Sequence, residues 1–171
     1  MVINDTACLE SETKSLRYPL IVKPCRPLSN IKAVVVHSVG ELAGIAKKVD
    51  SCLPVLVQEY IPGGDEVIRF GALYLREGEV LARFEGRKLR SRPMGHTTVA
   101  ISERSEEIHE LACKFFDGLG LSGPVSLELK QGPDGTQWVI EPTVGRTDFW
   151  VGLAIRNGVN LPLVEYTEAS D

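Results

Sequence analysis

Apolar and polar residues alternate through 125–129, residues 138–140 form an apolar run, and the two stretches are joined by Gly132-Pro133-Asp134-Gly135. A Pro-Asp-Gly turn between such runs predicts a β-hairpin. Period-two alternation sorts the side chains. Val125, Leu127 and Leu129 point one way with Trp138 and Ile140. Ser126, Glu128 and Lys130 point the other way with Val139, Glu141 and Thr143. A register that keeps these faces together sets Glu128 and Glu141 nearly opposite each other.

The same patterning divides the rest of the chain. Residues 1–16 are polar and ragged and read as irregular. Residues 18–23 predict a strand that stops at Pro24, and 33–36 a second. Leu42, Ile45, Ala46 and Val49 recur at helical spacing within 41–49. A strand follows over 55–61 and ends at Pro62-Gly63-Gly64-Asp65. The result is a small β-β-α-β lobe, assigned to 17–65. Residues 66–76 and 79–84 predict a hairpin about Glu77-Gly78. Ile108, Leu111, Ala112, Phe115, Phe116 and Leu119 mark one face of a helix over 105–119, which Gly118 and Gly120 are placed to end. A short helix over 148–156 is closed by Gly158 and Pro162. A larger lobe, 66–171, therefore carries the carboxylate hairpin and the terminal helix. The class is α+β, with mixed or antiparallel sheets in two lobes.

Like charges directly across a ladder are destabilising. At about 4 Å and an effective dielectric near 20 the repulsion is roughly 4 kcal/mol. The pair reads either as a solvated acidic face or as a site for a cation. Two carboxylates on adjacent strands, with room left for phosphate oxygens, suit Mg²⁺. Arg83, Arg87, Lys88, Arg90 and Arg92 put five cations into ten residues of a chain whose net charge is -4. They read either as a solvated face or as a surface for phosphate or a substrate carboxylate, with Lys88 and Arg90 the catalytic candidates.

Composition narrows the classes. At 171 residues, 43% hydrophobic and 25% charged, the chain is that of an ordinary globular protein. Its acidic balance argues against nucleic acid or an anionic membrane as partner. The apolar runs are shorter than the roughly 18 residues of a membrane span. Cys8, Cys25, Cys52 and Cys113 show no paired spacing, and 1–17 lacks the apolar core of a secretory signal. Free thiols and a cytoplasmic location are expected. His37, His96 and His109 form no ligand pattern.

Tyr18-Pro-Leu-Ile-Val-Lys23-Pro24, then Val57-Gln58-Glu59-Tyr60-Ile61-Pro-Gly, then Glu128 and Ile140-Glu141-Pro142, resemble the ATP-grasp superfamily in their order and spacing. Residues 82–90, Gly95-His96-Thr97-Thr98 and Gly158-Val-Asn-Leu-Pro162 are similar to bacterial carboxylate–amine-ligase-like members. The resemblance runs from about 16 to 162. It implies a nucleotide held between two α+β lobes. It also implies a reaction in which ATP phosphorylates a carboxylate and an amine or similar nucleophile attacks the acyl phosphate, releasing ADP. Lys23 matches a phosphate-binding lysine. Gln58, Glu59 and Ile61 match the strand that meets adenine. Asp65, with Glu66 next, matches the acceptor for the ribose hydroxyls. Glu128 and Glu141 match two ligands of Mg²⁺ (or Mn²⁺), and Arg146 matches an arginine that often follows them. These residue types have the chemistry such roles need. A lysine is a point charge for phosphates, and a carboxylate offers a diol only acceptors.

Three departures from the family pattern shape the expectations. Thr143 stands where a metal-binding asparagine is common. The segment after Lys23, 24–30, is proline-rich instead of glycine-rich, with Arg26, Ser29 and Asn30 as substitute phosphate contacts. The N-terminal domain that helps bind the acid in full-length members is expected to be missing or supplied by a partner chain. On that reading the chain is the nucleotide-binding part of a larger ligase, inactive alone. The alternative is a non-catalytic nucleotide-binding or scaffold module.

Overall fold

The computed structural model describes residues 1–26, 31, 33–92, 97–147 and 150–170. Two compact units follow each other in the chain, Met1–Tyr60 and Ile61–Asp171.

The first unit holds a four-stranded sheet. Its strands are β1 (Val2–Ile3), β2 (Leu20–Pro24), β3 (Val34–Val36) and β4 (Val55–Glu59), in the order β1-β4-β2-β3. Two helices accompany it, α1 (Leu9–Thr13) and α2 (Val39–Asp50). The core gathers Ile3, Leu9, Leu20, Val22, Leu42, Val49, Val55 and Val57. The opening segment is thus not irregular. Ile3 is fully buried and Leu9 nearly so. The N-terminal ammonium donates to the Val57 carbonyl at 2.9 Å. A polar composition hides such a segment from periodicity, because a two-residue strand needs only one buried side chain. Helix α2 starts two residues before the expected 41. Ser38 Oγ accepts from the Glu41 N–H at 3.2 Å, and Glu41 Oε2 accepts from the His37 N–H at 2.9 Å. This is close to a capping box and satisfies donors at the start of the helix.

The second unit is built on a five-stranded sheet of β5 (Ile68–Arg76), β6 (Glu79–Ser91), β7 (Thr97–Ser102), β8 (Gly123–Gln131) and β9 (Gln137–Val144). The order is β7-β6-β5-β8-β9, and every pairing among the described residues of both units is antiparallel, so neither sheet is mixed. Helix α3 (Glu106–Phe116) covers one face through Leu73, Leu75, Val125, Leu127 and Leu129. Helices α4 (Val151–Arg156) and α5 (Leu161–Ser170) cover the other through Phe70, Ala72, Tyr74, Phe84 and Trp150. The central strands are apolar on both faces for that reason.

Three expectations change here. Strand β6 runs to Ser91 instead of ending at Phe84. Its polar second half stays in the sheet because its charges find partners, as shown below. Strand β7 forms where the apolar–polar patterning predicts no element. Pro162 does not close the chain's last helix; it occupies the second position of α5, where a missing N–H costs nothing. Arg76 on β5 and Glu168 on α5 form an ion pair that holds this helix to the sheet.

Candidate functional site

The β8–β9 turn forms as its residue types require. Gly132 N–H donates to Thr136 O at 2.8 Å, Gly135 takes φ 84°, and Asp134 accepts from the Thr136 N–H at 3.0 Å. The ladder pairs Glu128 with Glu141 and Ser126 with Thr143. The two carboxylates therefore stand directly opposite, as the alternation predicted. The faces beyond them do not follow it. A bulge between Glu128 and Leu129 pairs Leu129 with Val139 and Lys130 with Trp138. One extra residue moves later side chains to the opposite face. Trp138 thus lies on the Lys130 face and Val139 on the Leu129 face, the reverse of the expectation.

Glu128 also pairs across β5 with Phe70, which stacks on Trp150 with ring centroids 6.1 Å apart. This aromatic wall lowers the local dielectric beside the carboxylate. Ser126 and Thr143 are buried on the same face. Lys88, from β6, donates to Glu128 Oε2 at 2.7 Å, and the two side chains are only 9% and 13% exposed. A short, charge-assisted and largely desolvated contact of this kind is strong. Glu141 is exposed.

Oxygen donors on this face suit a hard divalent ion, and a side-chain ammonium already sits against one of them. Among the described residues no group of three or more His, Cys, Asp or Glu is placed to hold a metal. The donor set is thus too small for an all-protein cage. It fits an ion that keeps waters and takes substrate phosphate oxygens.

The remaining cations divide by face. Arg83 donates to Glu85 at 2.8 Å and to Glu106 at 2.7 Å. Arg87 and Arg69 both pair with Glu103, at 2.8 and 3.2 Å. Glu85 is 3% exposed, and its hydrogen bond holds the Arg83 guanidinium well above its ordinary pKa. The Arg87 hydrogen bond, helped by Arg69, holds Glu103 below the usual carboxylate range. Arg83 and Arg87 therefore neutralise acids on the α3 face. Alternation along β6 contained the signal: residues 83, 85 and 87 share one face, and 86 and 88 the other. Arg90 is exposed and donates to Thr98 Oγ1 at 3.2 Å. Arg146 is exposed just past β9, after the turn at Gly145, whose N–H donates to Pro124 O at 2.9 Å.

Asp65 and Glu66 lie in a single 3₁₀ turn before β5. Asp65 accepts from the Ser91 N–H, which ties it to the end of β6. Glu66 is held below the usual carboxylate range by its own backbone N–H and by that of Gly64, at 3.0 Å. Ile61 begins the second unit.

In the first unit, Lys23 pairs with Leu56 and Ile21 with Gln58. Lys23 and Gln58 therefore share the sheet face opposite the buried Val22 and Val57. Glu59 lies on the other face, where Arg17 contacts it at 3.2 Å. Its side chain is occupied there and is not aligned with Gln58. Its backbone differs: Val57 exchanges both bonds with Met1, so the Glu59 N–H and C=O point to the same edge, beyond the end of β1. Ser29, Asn30 and His96 lie outside the described residues, as does the expected start of the last helix at 148.

No family model matches this sequence. It is 28% identical over 160 residues to D-alanine--D-alanine ligase B of Pseudomonas syringae pv. tomato, covering 85% of this chain and 48% of that one. Among solved structures, the biotin carboxylase of Campylobacter jejuni superposes with a TM-score of 0.72 at 16% identity, over 92% of this chain and 38% of that one. The ATP-grasp ligase PsnB superposes at 0.64 and 17% identity, over 100% of this chain and 54% of its own. The chain has the ATP-grasp fold. The chain spans about half the length of the curated relatives it matches.

Proposed function

We propose that this chain is the nucleotide-binding part of an ADP-forming ligase that joins a small carboxylate to an amine or similar nucleophile. The observation that carries the reading is the Glu128–Glu141 register on a face of oxygen donors. In the reaction, a substrate carboxylate oxygen attacks the γ-phosphorus and ADP leaves. The nucleophile's nitrogen then attacks the acyl carbon, inorganic phosphate leaves, and the nitrogen gives up a proton.

Glu128 and Glu141 hold Mg²⁺ or Mn²⁺ in this scheme, with the Thr143 hydroxyl as a further donor or water anchor. The ion, when bound, would offset the negative charge that develops on the transferred phosphoryl group. Lys23 offers a point charge to phosphate, with Gln58 beside it. The strand edge at Glu59, beyond the end of β1, offers a donor and an acceptor to a base, and Ile61 continues that stretch. Asp65 keeps acceptor capacity for ribose hydroxyls, with Glu66 adjacent. Lys88, Arg90 and Arg146 serve phosphate or the substrate carboxylate.

The length match favours a second reading, a nucleotide-binding module that works with a partner chain. Both predict that the purified chain forms no ADP and no amide from an acid and an amine without a partner, and such formation would overturn both.

Thermal shift with ATP, ADP and Mg²⁺ varied separately tests the core of the proposal. The stabilisation should require both nucleotide and metal. Glu141→Gln should remove the Mg²⁺-dependent part of nucleotide binding in calorimetry while leaving the melting temperature unchanged or slightly raised. Equal affinity in wild type and variant would remove the metal role.

A further inference from the structure

We propose that the Lys88 ammonium is the resident counter-ion of the carboxylate pair, displaced from Glu128 by an arriving divalent cation and thereby released to bind the anion that follows. The inference rests on the metal reading above. Its first support is placement. Strand β5 lies between β6 and β8, so Lys88 must arch over a whole strand to bring Nζ within 2.7 Å of Glu128 Oε2. A lysine on a sheet surface ordinarily runs out to water; this residue is 7% exposed. Its second support is charge. Two carboxylates in register need positive charge nearby whenever no metal is bound. On this face Lys88 contacts Glu128, and Lys130, itself 7% exposed, stands two residues along β8 from Glu128.

A divalent ion attracts each carboxylate about twice as strongly as an ammonium at equal distance. It can also serve both carboxylates at once. Exchange of Lys88 for the ion therefore raises the local charge by two and leaves the lysine beside newly positive ground. Anionic phosphate is favoured there only after the exchange. The lysine thus lowers affinity for metal alone and raises affinity for the anion once metal is present.

A purely structural ion pair has a different signature. Its loss would weaken metal and nucleotide binding together. The measurement is Mn²⁺ titration of the purified chain, read by the electron paramagnetic resonance signal of free Mn²⁺, for wild type, Lys88→Met and Lys88→Gln. Both variants should bind Mn²⁺ alone at least about fivefold more tightly, the lower range of ordinary coupling between sites. Their affinity for ADP at saturating Mn²⁺ should fall by a similar factor. Mn²⁺ affinity equal to or weaker than wild type would overturn the proposal.

The wild-type chain carries an independent version of the test. Acetylation of Lys88, followed by mass spectrometry against the exposed Lys47, should quicken when Mn²⁺ saturates the site. An unchanged rate would overturn the proposal even if the variants fail to fold. Uptake of Mn²⁺ and ADP by wild type with no gain in the variants sinks the exchange and spares the nucleotide reading. Failure of wild type to take up either sinks both.

Discussion

Gly86 shows how a single residue prepares the carboxylate face. It pairs with Phe70 in the sheet, and a Cβ there would lie 2.9 Å from Phe70 Cε1 and 2.6 Å from the Ile101 carbonyl oxygen. Neither neighbour is the loose end of a flexible side chain. The bare backbone lets Phe70 lie across β6 and stack on Trp150. Gly86→Ala should therefore cost about 1–3 kcal/mol through overpacking, seen as a lower urea midpoint with an unchanged slope. At this scale the sequence disclosed Glu128 and Glu141, because a short turn fixes their register. It did not disclose the partner of Lys88. That contact crosses an intervening strand, and no local pattern records which strand lies between two others.

Elements were legible where one periodicity ran long enough. Helix α3 was expected over 105–119 and is found at Glu106–Phe116. Ser105 Oγ accepts from the Ile108 N–H at 3.3 Å and starts it. Ser105→Ala should cost about 1 kcal/mol and lower the melting temperature by several degrees without altering nucleotide binding. Elements were missed where the pattern was short, interrupted or one-sided. Strand β1 is two residues long. Helix α5 places Leu163 and Tyr166 in solvent, so its apolar positions trace no single stripe. The polar half of β6 resembles a loop until Glu103 and Glu128 are seen to neutralise Arg87 and Lys88. The bulge after Glu128 breaks alternation within β9, which is why Trp138 and Val139 exchange faces.

For the whole molecule, acid is the informative stress. Arg17 holds Glu59 below the ordinary range through its backbone and side-chain hydrogen bonds, as Arg83 does for Glu106 and Arg87 for Glu103. Carboxylates lowered on folding bind more protons unfolded than folded between the two pKa values. Their contribution is therefore complete above the unfolded value and disappears as pH falls through the folded one. The melting temperature should be nearly level from pH 7 to about 5 and decline below about pH 4. Glu103→Gln should make that decline shallower, and an equal slope in the variant would discount the Arg69–Glu103–Arg87 group as a source.

Strand β5 brings no group to the proposed chemistry, yet it sets a gauge for side-chain length. Two interstrand spacings amount to roughly 9.6 Å. Only a pair of long side chains inclined toward each other can close that gap to 2.7 Å. Aspartate at 128, one methylene shorter, would lengthen this contact, so the reach of the acid is matched here to a ruler made of backbone.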